Sequence, residues 1–70
     1  MNIYTIPGAK VIFSYPTNGY DGDNLIGRQY LTVGYEYTVQ RVSIGRSSSR
    51  VYLKEVPDIG FNTCMFEDII

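Results

Sequence analysis

Two segments rich in β-branched and aromatic residues, separated by a short turn, constrain the fold of this chain most strongly. Residues 36–44 read EYTVQRVSI and residues 50–56 read RVYLKEV, whereas residues 45–49 hold one glycine and three serines. Val, Ile, Thr and Tyr fit the half-buried surface of a sheet, and Gly and Ser are typical turn residues. The pattern therefore predicts an antiparallel β-hairpin, with Val51 and Leu53 on one face of its second strand.

The first strand of this hairpin changes its apolar phase partway along. Tyr37 and Val39 alternate with polar residues, but the next apolar pair, Val42 and Ile44, has the opposite parity. A strict period of two cannot place both pairs on one face. The sequence predicts either a β-bulge near residues 40–41 or a strand that bends and is buried on both faces near its end.

The amino-terminal half contains weaker signals. Residues 10–15 predict a strand that ends at Pro16, because proline cannot donate to a ladder. Residues 1–5 fit a short strand or an extended lead-in. Residues 24–30 fit a short helix or 3-10 turn, with Asn24 as its cap.

The carboxyl-terminal part predicts a turn followed by a short segment that is buried in the core. Residues 57–60, PDIG, are typical of a turn. The segment after them returns as a short strand or a 3-10 turn that buries Phe61, Met65 and Phe66. Short strands punctuated by turn signals indicate an all-β fold, a small antiparallel barrel of about five short strands, because closure removes exposed sheet edges.

The small size and charge of the chain exclude several classes of protein. Seventy residues form a single domain, 1–70, with a thin core and little room for an internal cleft. The net charge of −1 disfavours nucleic-acid binding, which relies on clustered Lys and Arg. No stretch approaches the roughly 20 apolar residues of a membrane span, and the start of the chain does not resemble a signal peptide. One cysteine without a disulfide partner favours a reducing, cytoplasmic setting.

Enzymatic chemistry is not expected. The chain has no histidine, and its one cysteine, Cys64, lies in an apolar segment that predicts a buried, inert thiol. The acidic run at residues 21–24 starts like a calcium loop but lacks the later ligands, so a polar turn is the expectation. We therefore expect a non-enzymatic protein without a cofactor and without a metal site.

A long polar loop over residues 15–24, YPTNGYDGDN, is the first candidate for a binding surface. Loops carry function more often than cores do, and tyrosine is enriched at interface hot spots. The residues that we expect to bind a partner, from this loop and from one nearby turn, are Tyr15, Asn18, Tyr20, Asp21, Asp23 and Tyr35.

The hairpin tip is the second candidate. Its arginines and hydroxyls would suit a small anion such as a nucleotide, although no P-loop sequence is present. The candidate anion-binding residues are Arg41, Arg46, Ser48 and Arg50. A solvated hairpin tip is the alternative for the same residues.

One stretch resembles a known group of proteins. Leu31-Thr-Val-Gly34-Tyr-Glu-Tyr37-Thr-Val39 resembles the L-x-x-G-x-x-Y-x-V pattern of small SH3-like barrels from bacterial and phage genomes. The resemblance extends over roughly residues 10–69. It implies that the glycine lies in a turn before a long strand, and that the tyrosine and valine point into the barrel. It also implies that the loop at residues 15–24 takes the place of the long first loop of SH3 domains.

The resemblance has implications for function, although the chain departs from the pattern of eukaryotic SH3 domains. The chain lacks the tryptophan and the ALYDY-type start with which eukaryotic SH3 domains bind proline-rich peptides. We expect instead a phage or mobile-element protein that binds and inhibits a bacterial host protein in the host cytoplasm, an anti-defence protein being one form. Two alternatives remain: an oligomeric receptor that sequesters a small anionic ligand such as a nucleotide, and a homo-oligomeric subunit of a larger assembly.

Overall fold

A computed structural model describes residues 1–69 of the chain. Its elements in chain order are β1 (Lys10–Phe13), α1 (Asp21–Tyr30), β2 (Glu36–Ser43), β3 (Arg50–Leu53), β4 (Val56–Asn62), a 3-10 turn (Thr63–Met65) and β5 (Phe66–Asp68). The five strands form one sheet in the order β4-β3-β2-β1-β5, and every neighbouring pair is antiparallel. The prediction of an all-β fold with about five short antiparallel strands is confirmed.

The predicted closure of the barrel is wrong. β4 and β5 lie at the two ends of the strand order and are not hydrogen-bonded to each other. β4 passes directly into the 3-10 turn, which redirects the chain so that β5 pairs with β1, opposite Val11, Ile12 and Phe13. The sheet is therefore curved around a core but open between β4 and β5.

The predicted irregularity in β2 is confirmed as a bulge. Val39 pairs with Leu53 of β3, but the next paired residue is Arg41, opposite Tyr52, so Gln40 is the extra residue. Because of this extra residue, the side chain of Val42 again lies on the inward face of the strand, where it packs against the core.

Two predictions about the hairpin region were wrong: the second strand does not extend over residues 50–56, and residues 57–60 are not a turn. The turn after β3 lies at Lys54 and Glu55, and residues 57–60 belong to β4. β4 is an edge strand, so Pro57 costs no ladder bond within the sheet. The register also slips between the Leu53–Val56 and Tyr52–Gly60 pairs, so residues 57–59 bulge away from β3. The turn-like residues 57–60 therefore belong to a bulged stretch of an edge strand and not to a turn.

The long first loop is shorter than predicted, because its last four residues form the first turn of α1. Tyr20 is the extended residue that precedes the helix, and Asn24 lies inside it. The Asn24 Oδ1 still accepts a hydrogen bond from the Gly19 N–H at 2.9 Å, but from within the helix rather than as its cap. Residues 1–5 form a turn, not a strand.

The core combines residues from every strand with Leu31, which directly follows α1, and Met65 of the 3-10 turn. Its buried apolar members are Val11, Phe13, Leu31, Tyr37, Val39, Val51, Leu53, Phe61, Met65 and Phe66. Gly34 has a φ of +88° in the turn before β2, a backbone conformation that suits glycine. The inward positions of Leu31, Tyr37 and Val39 agree with the pattern on which the resemblance rests.

Candidate functional site

A pocket of about 450 Å³ opens where the first loop meets the hairpin tip. The first loop contributes residues 18–20 and the β2–β3 turn contributes residues 47–49. The floor comes from residues 62–64, where β4 ends and the 3-10 turn begins. Three segments that are distant in the sequence thus form one concave surface.

An ion pair and a set of hydrogen bonds beside the pocket hold α1 against the sheet. The Asp23 carboxylate forms an ion pair with the Arg50 guanidinium of β3 and accepts a hydrogen bond from the Asn62 amide of β4 at 3.1 Å. It also accepts from the Tyr20 backbone N–H at 3.2 Å, which satisfies one free donor at the start of α1. Asp23 therefore connects the loop, the helix and two strands.

The electrostatics of Asp23 reflect these contacts. Partial burial by itself would raise the pKa of Asp23. The hydrogen bonds from Arg50, Asn62 and Tyr20, together with the positive charge of Arg50, outweigh that effect and lower the pKa below its ordinary value. The carboxylate is accordingly charged at neutral pH and is fully engaged within the protein.

The thiol of Cys64 faces the pocket. Cys64 is exposed, so the prediction of a buried thiol was wrong. Its Sγ donates to the Asn18 carbonyl at 3.2 Å, and the Asn18 amide donates to the Cys64 carbonyl at 3.4 Å. Partial burial raises the pKa of the Cys64 thiol and the negative charge of Asp23 raises it further, so the thiol is protonated and weakly nucleophilic at neutral pH.

The structure brings only some of the predicted partner-binding residues to the pocket. Asn18 and Tyr20 line it, and 62% of the Tyr20 surface is exposed. Asp21 is exposed at the start of α1, whereas Asp23 is turned inward.

The two remaining predicted partner-binding residues, both tyrosines, also lie outside the pocket. Tyr15 and Tyr35 are exposed tyrosines that do not line it. Their backbones are fixed beside the core, since the Tyr15 N–H donates to the Met65 carbonyl and the Tyr35 carbonyl accepts from Phe13.

The four candidate anion-binding residues do not converge. Ser48 lines the pocket and Arg46 is exposed at the hairpin tip. Arg50 is occupied by Asp23. Arg41 stacks over the Tyr52 ring, with its guanidinium carbon 3.8 Å from the ring centre. A single anion therefore does not meet four free donors here.

Sequence reasoning missed most of the pocket lining. Gly19, Ser47, Ser49, Asn62, Thr63 and Cys64 line the pocket but were not predicted as site residues. Ser47 and Ser49 lie in the hairpin tip that was singled out, so the run of three serines was the only available signal. Asn62 and Thr63 carry no sequence signal, because only the pairing of β3 with β4 places them beside the tip.

The surface also exposes many large apolar side chains for a protein of this size. These are Tyr4, Ile6, Tyr15, Tyr20, Leu25, Ile26, Tyr30, Val33, Tyr35, Ile44 and Ile69. Leu25, Ile26 and Tyr30 lie on α1, outside the face that packs on the core.

The part of the chain that the structure describes lacks two further kinds of feature. Among residues 1–69, no helix is long and apolar enough to cross a membrane. The same part of the chain brings no three acidic or cysteine side chains together as a potential metal site.

The fold and the pocket define a small antiparallel β-sheet protein with one helix and a solvent-facing polar pocket. A family model described as "Bacteriophage T4 protein Y07B" matches residues 3–70, and the chain belongs to this family. The membership confirms the phage part of the resemblance seen in the sequence. No curated protein and no solved structure matches the chain.

Proposed function

We propose that this phage protein is a non-enzymatic binding module that attaches to a bacterial host protein in the host cytoplasm and inhibits it. The observation that carries the proposal is the pocket between the first loop and the hairpin tip, with an exposed tyrosine at its edge. Interface hot spots are enriched in tyrosine and lie in concave, well-packed surroundings. An anti-defence protein that blocks a functional surface of its target is one form of this activity.

Sequestration of an anionic ligand is the less favoured function. Its strongest candidate donor, Arg50, is neutralised by Asp23, and Arg41 is stacked on Tyr52. An anion that used Arg50 would have to displace the Asp23 carboxylate and so loosen the contact between α1 and the sheet. The arrangement favours a protein partner over a nucleotide.

A pull-down from bacterial lysate with the tagged protein, followed by mass spectrometry, tests the proposal. Tyr20→Ala is the informative variant, because its side chain is exposed and its backbone contacts are retained. Asp23 is unsuitable, since its replacement would disturb folding as well as any binding. Tyr4→Ala is the matched control, a tyrosine that is 76% exposed and does not line the pocket.

We expect one host protein to be retained by the wild type and by Tyr4→Ala and lost by Tyr20→Ala, with equal thermal stability of all three. Equal retention by Tyr20→Ala would place the interface elsewhere on the surface. Capture of no specific host protein would contradict the proposed function itself.

A further inference from the structure

The exposed face of α1 carries an acidic and a basic residue two helical turns apart, with an apolar residue between them. Asp21, Leu25 and Arg28 have the spacing i, i+4, i+7, which places their side chains in one row along a helix. All three residues are exposed, Leu25 to 61%. The buried residue of the helix, Gly27, faces the Met65 and Phe13 side chains on another side. The row therefore faces solvent and not the core.

The two charges of this row are not neutralised by an ion pair in the part of the chain that the structure describes. Within residues 1–69 the one ion pair joins Asp23 to Arg50. Asp21 lies in the first turn of α1 and Arg28 in its last turn, where each is favourable for the helix dipole. The exposed row is thus negative at one end, positive at the other and apolar in the middle.

From this arrangement we propose that a second copy of the chain packs against α1, with the two helices antiparallel about a twofold axis. In such a dimer the same surface serves both partners, so each group must meet its complement on the other copy. Antiparallel pairing brings the negative end of each helix to the positive end of the other, and two Asp21–Arg28 pairs form between the copies. The axis passes midway along the row, where Leu25 contacts its own copy.

The order of the charges selects a second copy as the occupant. An exposed row with charges of one sign would repel its own copy and would suit an oppositely charged partner instead. A row with one charge of each sign at its two ends is complementary to itself, and only in the antiparallel direction. No residue of α1 lines the pocket, so the contact uses a surface other than the one that carries the proposed function.

The dimer should be weak, because the surface is small. The ten residues of α1 span only about 15 Å. One such helix from each copy offers less than the roughly 800 Å² per partner of a standard interface. We expect a dissociation constant on the order of 100 μM.

Charge reversal tests the pairing. Sedimentation equilibrium at low ionic strength measures the dissociation constant of the wild type, Asp21→Arg and Arg28→Asp. Each reversal sets like charges against each other twice in the dimer and should weaken it at least about tenfold. Asp58→Arg and Arg46→Asp make the same changes of charge at exposed positions outside α1 and should leave the affinity unchanged.

Mixing the two reversed variants is the decisive measurement. An equimolar mixture of Asp21→Arg and Arg28→Asp should form a heterodimer within about threefold of the wild-type affinity, because every charge again faces its opposite. The double variant Asp21→Arg/Arg28→Asp has the net charge of the wild type and should also dimerise, which separates pairing from attraction between oppositely charged proteins. Leu25→Ala, at the centre of the contact, should weaken the wild-type dimer at least about threefold.

Three results would overturn the inference. A wild type that stays monomeric at about 1 mM would show that a second copy does not cover this face and would leave it to a different partner. A dimer that both reversed variants retain at full affinity would lie on another surface. Reversed variants that are folded by circular dichroism but stay monomeric when mixed would refute the antiparallel pairing.

Discussion

Asp23 is the residue that does most to connect separate parts of this chain. It lies 27 residues from Arg50 and 39 residues from Asn62 in the sequence, and its carboxylate meets both. The side chain of Asp23 is only 9% exposed, whereas that of Arg50 is 36% exposed. A largely desolvated carboxylate with three donors contributes more than a typical surface ion pair, which contributes about 0–1 kcal/mol.

Replacement of this carboxylate tests its structural role. We expect Asp23→Ala to lower the free energy of unfolding by about 2 kcal/mol, because it leaves Asn62 and Arg50 without their acceptor. Urea denaturation followed by circular dichroism measures the change. Asp21→Ala is the control, since Asp21 is exposed in the same helical turn and should cost about 0.5 kcal/mol through the helix dipole alone. Equal losses in the two variants would contradict the role assigned to Asp23.

The lowered pKa of Asp23 predicts a pH dependence of stability. Because its folded pKa lies below the ordinary value of 3.8, its contribution is complete above that value and is lost as the pH falls through the folded pKa. Urea denaturation from about pH 5 to about pH 2 should therefore show falling stability. The slope should be shallower in Asp23→Asn, which cannot titrate at this position. An identical slope in the two proteins would assign the acid sensitivity to other carboxyls, such as Glu55, whose pKa is also lowered.

At the scale of elements, the packing of α1 on the core and the conformation of the hairpin tip depend on glycines with different surroundings. A Cβ on Gly27 would lie 2.6 Å from the Met65 methyl and 3.1 Å from the Phe13 ring, so glycine allows α1 to approach the core closely. A Cβ on Gly45 would lie 2.3 Å from the Ser48 carbonyl oxygen, which is backbone and cannot easily move. Gly22, in contrast, has no atom within 4 Å of the same position.

Alanine substitutions should therefore have opposite signs at two of these glycines. We expect Gly45→Ala to destabilise the protein by about 2 kcal/mol, because the hairpin tip must rearrange to relieve the clash. Gly22→Ala should stabilise it by about 0.5–1 kcal/mol, because alanine is the better helix former and meets no obstacle. Thermal denaturation of the two variants beside the wild type measures both. A neutral Gly45→Ala would show that the tip is not held in this conformation in solution.

At the scale of the whole molecule, the open sheet has two edges, and each is modified. Pro57 lies on the β4 edge, where it removes one donor. At β5, the Met1 ammonium donates to the Phe66 carbonyl at 2.8 Å and the Asn2 N–H donates to the Asp68 carboxylate at 2.8 Å. These features limit edge-to-edge association in a sheet that is not closed.

A protein of this size has a small free energy of unfolding, so the loss of one core side chain removes a large part of it. Phe66 lies between Phe13 and Phe61, with ring centres 5.6 Å and 6.3 Å away. Phe66→Ala should cost about 3–5 kcal/mol, which approaches the whole stability expected of a domain of this size. Far-ultraviolet circular dichroism at 25 °C should show a largely unfolded protein, whereas Tyr4→Ala should stay folded. A cooperative transition near the wild-type temperature in Phe66→Ala would contradict this account of the core.

The sequence by itself determined the features that depend on local periodicity and local backbone geometry. The long strand of the hairpin and an irregularity near residues 40–41 follow from side-chain alternation, although alternation left a bulge and a bent strand open until the structure showed the bulge at Gln40. The same reasoning located the buried segment around Phe66, because bulky apolar residues in a short chain must be buried. The turn at Gly34 was implied by the resemblance, and its φ of +88° agrees with that implication.

Only the tertiary structure decided the start of α1 and the composition of the pocket. Tyr20 is not a typical helix cap, and the helix begins there because Asp23, one turn later, is held by Arg50 and Asn62 from the sheet. The pocket likewise depends on the register of β3 with β4, which brings Thr63 to Ser49. Contacts between residues so distant in the chain leave no periodic trace in the sequence, since they depend on how the elements pack and not on the preference of any one segment.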